Sequence, residues 1–128
     1  MLNNNQMKVA IPLNGERVAP RLPLAKEAMI IEVRGEREVQ RETVNISLLN
    51  PLEIVDFFAS QGVTKVIAGG VDWHLQEMLR SNNIDVIWGI MGDVDEVLAF
   101  YLRKGLQEGM GPCPPMRRRR RFRGLRVS

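Results

Sequence analysis

The chain has 128 residues, 45% of them hydrophobic and only 5% aromatic, which points to one domain with an aliphatic core. A single cysteine, Cys113, excludes an internal disulfide, and no apolar run approaches the ~18 residues that a membrane span needs. The formal net charge of +3 joins two unlike parts: seven basic residues and no acidic one lie from Arg117 to Arg126, whereas residues 1–116 carry 11 basic and 15 acidic side chains, a net charge of −4.

Residues 1–6 form a polar leader without the basic and long apolar segments of a signal peptide, so a cytoplasmic location is expected. "MKVAI" (7–11) reads as a buried first strand that Pro12 ends. "NGERVAPRLPLAKE" (14–27) has turn residues and two prolines and reads as a loop. "AMIIEV" (28–33) and the alternating "REVQRETV" (37–44), joined by the turn "RGE", read as an antiparallel hairpin.

The period then changes. Asn50, Pro51 and Glu53 give a cap, a first helical position and a capping-box partner. Leu52, Val55, Phe58 and Ala59 form the expected inner stripe of this helix, and Gly62 stops it. "TKVIA" (64–68) is a strand. Asp72 caps a second helix whose inner face uses Leu75, Met78 and Leu79. "IDVIW" (84–88) is the next strand. Asp93 caps a third helix with Val94, Val97, Leu98 and Tyr101 inward.

The order is β-β-β-α-β-α-β-α. It predicts a three-layer α/β domain over 7–108 with a mixed five-stranded sheet, similar in layout to the ribonuclease-H-like motif, with right-handed helical crossovers between parallel strands. "GMGPCPPM" (109–116) reads as a stiff Gly/Pro linker and 117–128 as a disordered arginine-rich tail.

In such a sheet, ligands gather beyond the carboxyl ends of the parallel strands. Three segments are expected to meet there: the loop after the first strand, "GGVDWH" (69–74) and "GIMGD" (89–93). Gly69, Gly70, Gly89 and Gly92 allow close backbone approach, helix starts present N–H groups, and Arg17 and Arg21 add positive charge, which together suit an anion. Glycines at strand–helix junctions also serve simply to make a turn, and Asp72 and Asp93 read as caps. Neither loop matches a nucleotide-binding glycine motif, so no nucleotide is expected. The first strand has no central carboxylate, which argues against two-metal nuclease chemistry. His74 and Cys113 are candidate metal ligands, but they cannot by themselves make a four-ligand cage. No catalytic constellation is evident, so the chain does not read as an enzyme.

"MKVAIPLNG", "VAPRL", "AMIIEV", "LLNPLEIVDFFASQGVTKVIAGG", "NNIDVIWGIMGDVDEVLAFYLRKGL" and the late "GPCP" resemble the dinitrogenase iron–molybdenum cofactor biosynthesis family. That family includes NifX-like proteins, the C-terminal domain of NifB-like proteins, and the orange protein, which carries a molybdenum–copper–sulfide cluster. The resemblance covers about 7–114. It implies a ribonuclease-H-like fold that binds or delivers an anionic iron–molybdenum–sulfur or other metal–sulfur cluster without catalysis, in exchange with a donor or acceptor protein. The chain departs from the family pattern in three places. Leu22, Pro23 and Leu24 replace a phenylalanine–glycine–arginine stretch. "NISLLN" replaces a histidine-containing segment before the first helix. "VDWH" follows "GG" where another glycine and a proline are common.

Two other functions fit the residues. Arg117, Arg118, Arg119, Arg120, Arg121 and Arg123 suit phosphates or an acidic protein, and Phe122 suits stacking on a base, so the tail is a candidate nucleic-acid or acidic-partner module. The domain is otherwise a ligand-free scaffold. No membrane partner is expected.

Overall fold

Strand β1 (Gln6–Asn14) is the spine of a mixed sheet. The computed structural model describes residues 6–104 apart from residue 36, so Cys113, the Gly/Pro linker and the arginine-rich tail lie outside the described residues. β3 (Glu27–Arg34) and β4 (Arg37–Asn45) form the expected antiparallel hairpin, and β3 pairs antiparallel with β1. On the other side β5 (Val63–Ile67) and β6 (Asp85–Ile87) run parallel to β1. The path is β4-β3-β1-β5-β6, and a two-residue β2 (Arg17–Val18) folds back on the end of β1. The sheet therefore has six strands rather than five, because part of the 14–27 loop pairs with backbone. A 3-10 turn at Leu22–Leu24 follows in the same segment.

Pro12 does not end the first strand. It is buried inside β1, in register with Ala28, and its carbonyl accepts the Ala19 N–H at 2.8 Å. In a strand, the N and O of one residue point the same way. The Pro12 nitrogen therefore faces Ala19 and not β3, and its missing hydrogen costs the β1–β3 ladder nothing.

Helices α1 (Pro51–Ser60) and α2 (Trp73–Ser81) cover one face. Ile54, Val55, Phe58, Leu75 and Leu79 pack there with Ala10, Ile30 and Val66. Helix α3 (Val94–Lys104) covers the other, setting Val94, Val97 and Leu98 against Val9, Ile11, Ile31 and Ile67. Burying a side chain such as Phe58, which is fully enclosed, contributes about 1.5–3 kcal/mol.

The α1 stripe differs from the expected one. Ile54 takes the inner place, while Leu52 is 57% exposed and Ala59 is also outside. Leu52 lies in the first turn, where the helix begins beyond the sheet's end. The predicted stop of α1 is present, since the helix ends before Gly62 at φ 82°; α2 ends in the same way before Asn83 at φ 64°, a left-handed stop that the sequence analysis did not name. Among the described residues, no helix is long and apolar enough to cross a membrane.

Candidate functional site

The carboxyl ends of β1, β5 and β6 are bound together by backbone hydrogen bonds. After β1 the chain turns at Gly15 and crosses the sheet's end as a strap over 16–22. Val18 N–H donates to Gly92 O at 2.9 Å, and Val94 N–H to Glu16 O at 2.9 Å, which sets Arg17 opposite Asp93. Farther along, Gly70 N–H donates to Pro20 O at 2.5 Å and Leu22 N–H to Gly70 O at 2.9 Å, which sets Arg21 beside Gly70. The two glycine loops also join each other, Gly89 N–H donating to Gly69 O at 2.8 Å and Ile90 N–H to Ala68 O at 3.0 Å.

The three predicted segments therefore meet, and the reason for the glycines is visible. A Cβ on Gly69 would stand 2.5 Å from Ala19 O and 2.8 Å from Pro20 O, and one on Gly70 would stand 3.0 Å from Pro20 O. These two residues let the chain's own strap cross closely. Gly89 and Gly92 have φ of 77° and 126°, which side-chain-bearing residues rarely adopt. The N–H groups of Gly70 and Gly89 are already donated within the chain. An anion at this end must be held mainly by other groups.

Arg17 and Arg21 supply the charge. Both side chains are exposed, and neither makes an ion pair with a described residue. His74 is exposed in the first turn of α2, where Asp72 caps the helix by accepting from Leu75 N–H at 2.8 Å. Asp93 accepts from Asp95 N–H at 2.9 Å, the capping role expected of it. Beside the strap lies an open cleft of about 340 Å³, lined by Leu13, Pro20, Arg21, Leu24 and Lys26 among others. Arg21 is the one candidate residue that borders it; the four glycines and His74 do not. Among the described residues, no group of three or more His, Cys, Asp or Glu side chains is placed to hold a metal ion. The donor set here suits holding an anion from outside its metal shell, with His74 the only described residue offering a soft nitrogen.

Sequence reasoning missed three side chains at this end. Trp73 is 72% exposed, Met91 71% and Trp88 40%. Trp88 was assigned to the strand, but β6 ends at Ile87 and leaves it in the loop. The available signal was a large apolar residue inside a loop rich in glycine and aspartate.

No protein-family model matches the chain. It is 22% identical over 107 residues to an uncharacterized protein of Methanocaldococcus jannaschii, covering 80% of this chain and 91% of that one. The crystal structure of the protein PH0822 matches with a TM-score of 0.72 at 21% identity, covering 75% of this chain and 88% of that one. A Thermotoga protein provisionally named NifB matches at 0.65 and 24%, covering 80% and 92%. The apo form of the orange protein from Desulfovibrio gigas matches at 0.63 and 18%, covering 75% and 87%. At these identities the likeness establishes a shared fold, and the names of the last two are consistent with the family that the sequence resembles.

Proposed function

We propose that this chain is a non-catalytic accessory protein that binds or carries an anionic metal–sulfur cluster, of the iron–molybdenum type or a related one. The cluster is cargo, received from a donor protein or handed to an acceptor. This reading takes the sheet order as the ribonuclease-H-like layout expected of that family. The observation that carries it is the strap. Its backbone bridges bring Arg17 to the 89–93 loop and Arg21 to the 69–72 loop, and both guanidinium groups are left without ion-pair partners among the described residues. Guanidinium groups make charge-assisted hydrogen bonds to a diffuse anion. His74 stands at the start of α2 on the same end, where the helix dipole also favours negative charge. Cys113, outside the described residues, is a further candidate ligand.

The test uses the full chain, free of metal, exposed anaerobically to tetrathiomolybdate and then desalted at 0.5 M salt to release loosely held anion. Wild type is expected to keep molybdenum and a sulfide-to-metal absorption band. Arg17→Ala with Arg21→Ala should lower retention at least fivefold while keeping the arginine tail, which separates this site from anion held by the tail. His74→Ala should shift the band if imidazole reaches the metal, and leave it unchanged if the arginines do the holding. No retention by wild type, or equal retention by the double variant, overturns the assignment.

A further inference from the structure

The open cleft of about 340 Å³ beside the strap falls at the lower end of the size range of small-molecule sites. Both of its walls are fixed by backbone. On one side the strap is pinned by the Ala19 N–H to Pro12 O bond at 2.8 Å and the Leu22 N–H to Gly70 O bond at 2.9 Å. On the other, the 3-10 turn Leu22–Leu24 closes through Leu24 N–H to Arg21 O at 3.2 Å and Ala25 N–H to Leu22 O at 3.1 Å, and Lys26 O accepts the Ile46 N–H at 2.8 Å. Neither wall has to be ordered to receive a ligand, so binding here avoids that entropic cost. Nothing lies within 4 Å of where a Gly15 Cβ would stand, which leaves the end at the β1–β2 turn open.

Apolar residues line most of the cleft, and a few polar groups stand among them, the usual composition of a site for a small molecule. Pro20, Leu24 and Ala25 belong to the apolar part. Leu24 is 74% exposed, and among the large exposed hydrophobic side chains of the described residues it is the one that borders the cleft. Arg21 and Lys26 are the only charged residues of the lining; both are exposed and neither makes an ion pair with a described residue. Asn14 adds a side-chain amide. This end of the sheet as a whole carries more carboxylates than cations, but none of them lines the cleft. Glu27 opens β3 next to Lys26, and successive side chains of extended chain point to opposite faces. Asp72, beyond the bridge to Gly70, caps α2. The wall also lacks the run of free N–H groups that suits a phosphate: those of Leu22, Leu24 and Ala25 are donated within the chain, and Pro20 and Pro23 have none.

We infer that this cleft is a second binding site, for a small organic carboxylate with a short apolar body. The Arg21 guanidinium offers a planar fork that matches a carboxylate, and the Lys26 ammonium adds a point charge. The body of the ligand covers Leu24 and lies along Pro20 and Ala25, which removes apolar surface from water. The site shares only Arg21 with the residues proposed to hold a cluster. The inference does not depend on cluster binding, and its test uses protein without metal.

The probe is hexanoate, titrated into the full chain while amide 1H–15N spectra are recorded, with acetate and hexylammonium as comparisons. Hexanoate should shift the amides of Gly15, Arg21, Leu24 and Lys26 saturably, with a dissociation constant of about 1 mM, as befits so small a ligand in an open cleft. Acetate has the charge without the body and should bind at least tenfold more weakly. Hexylammonium has the body with the opposite charge and should leave these amides unmoved. Lys26→Glu should weaken hexanoate at least fivefold and Leu24→Ser at least threefold, both without lowering Tm, because both side chains are exposed. Shifts that do not saturate, or that are confined to the arginines of the tail, overturn the inference. So does equal binding of acetate or of hexylammonium, or hexanoate binding that both variants leave unchanged.

Discussion

Gly69 is held under a tight steric constraint by backbone. Its absent side chain is the space through which the strap passes, and an added methyl would sit 2.5 Å from the Ala19 carbonyl oxygen. That neighbour is backbone, pinned by the Ala19 N–H to Pro12 bond, so it cannot swing away. Gly69→Ala should cost about 1–3 kcal/mol as overpacking, and Tm should fall by roughly 5 °C or more. Differential scanning calorimetry measures this, and an unchanged Tm would mean that the strap moves freely. Gly70→Val meets the same strap at 3.0 Å, so loss of ligand binding in that variant needs a Tm beside it.

Tyr101 offers a second residue-scale readout, as the only tyrosine in the chain. It is half-buried on α3, its hydroxyl donates to Met7 Sδ at 3.3 Å, and the Lys65 ammonium stands 5.7 Å from the ring centre. Burial first, and the charge of Asp85 second, raise its pKa above the usual 10. A raised folded value means that its contribution is complete below the unfolded pKa and is lost as pH climbs through the folded one. Tyrosinate absorbance at 295 nm should therefore rise at higher pH in the native protein than in denaturant, and Tyr101→Phe should lessen the alkaline loss of stability.

Among the elements, α1 is the most fully specified by its own residues. The Asn50 side chain accepts from Glu53 N–H at 2.8 Å while the Glu53 carboxylate accepts from Asn50 N–H at 3.0 Å, and Pro51 needs no donor at the first position. Asn50→Ala should cost about 1 kcal/mol. Urea unfolding should show a lower midpoint with an unchanged slope, since the surface exposed on unfolding stays the same. The edge strand β4 is secured differently. Arg41 pairs with Glu38 and reaches Asp95 at the start of α3, which ties the sheet's open edge to the helix over it. These groups are solvent-exposed, so the tie contributes little to stability. The hydrogen bond from Arg41 lowers the Glu38 pKa, so whatever it adds is present at neutral pH and is lost as pH falls through the depressed value. The charged row and the register shift along β4 also discourage pairing with another sheet.

At the scale of the whole molecule, the two buried clusters are built from residues between Val9 and Leu98, on either face of one sheet. Deleting 117–128 should therefore move Tm by less than about 2 °C, and a large loss would show that the tail docks on the acidic body. If the tail's seven basic residues bind duplex nucleic acid, log affinity against log salt should fall with a slope of about −5 to −6. The truncated chain should then not bind. Among the described residues the body presents another kind of asymmetry: the turns at one end of the sheet are polar, and large apolar side chains are exposed at the other.

The sequence by itself determined the five longer strands, the three helices and their order, though not the short β2 or the 3-10 turn inside the 14–27 segment. Asn50, Pro51, Glu53, Asp72, Gly62 and the apolar periods act within a few residues of where they stand, so their effect is readable along the chain. The convergence of Arg17, Arg21 and the glycine loops was readable as well, because parallel strands joined by helices must bring their carboxyl ends together. What the glycines accommodate was decided only by the tertiary structure. The strap crosses close to residues some fifty positions away in sequence, and a turn that seats a ligand has the same local pattern as one that seats another piece of the chain. Pro12 was misread for a related reason: a strand proline is tolerated or excluded according to which neighbour its nitrogen faces, and that depends on pairing. The gathering of Leu24, Leu48, Leu52, Trp73, Trp88 and Met91 at one end likewise has no period in the sequence. Each is a single apolar residue near a strand or helix boundary, and only the directions of the strands bring them together.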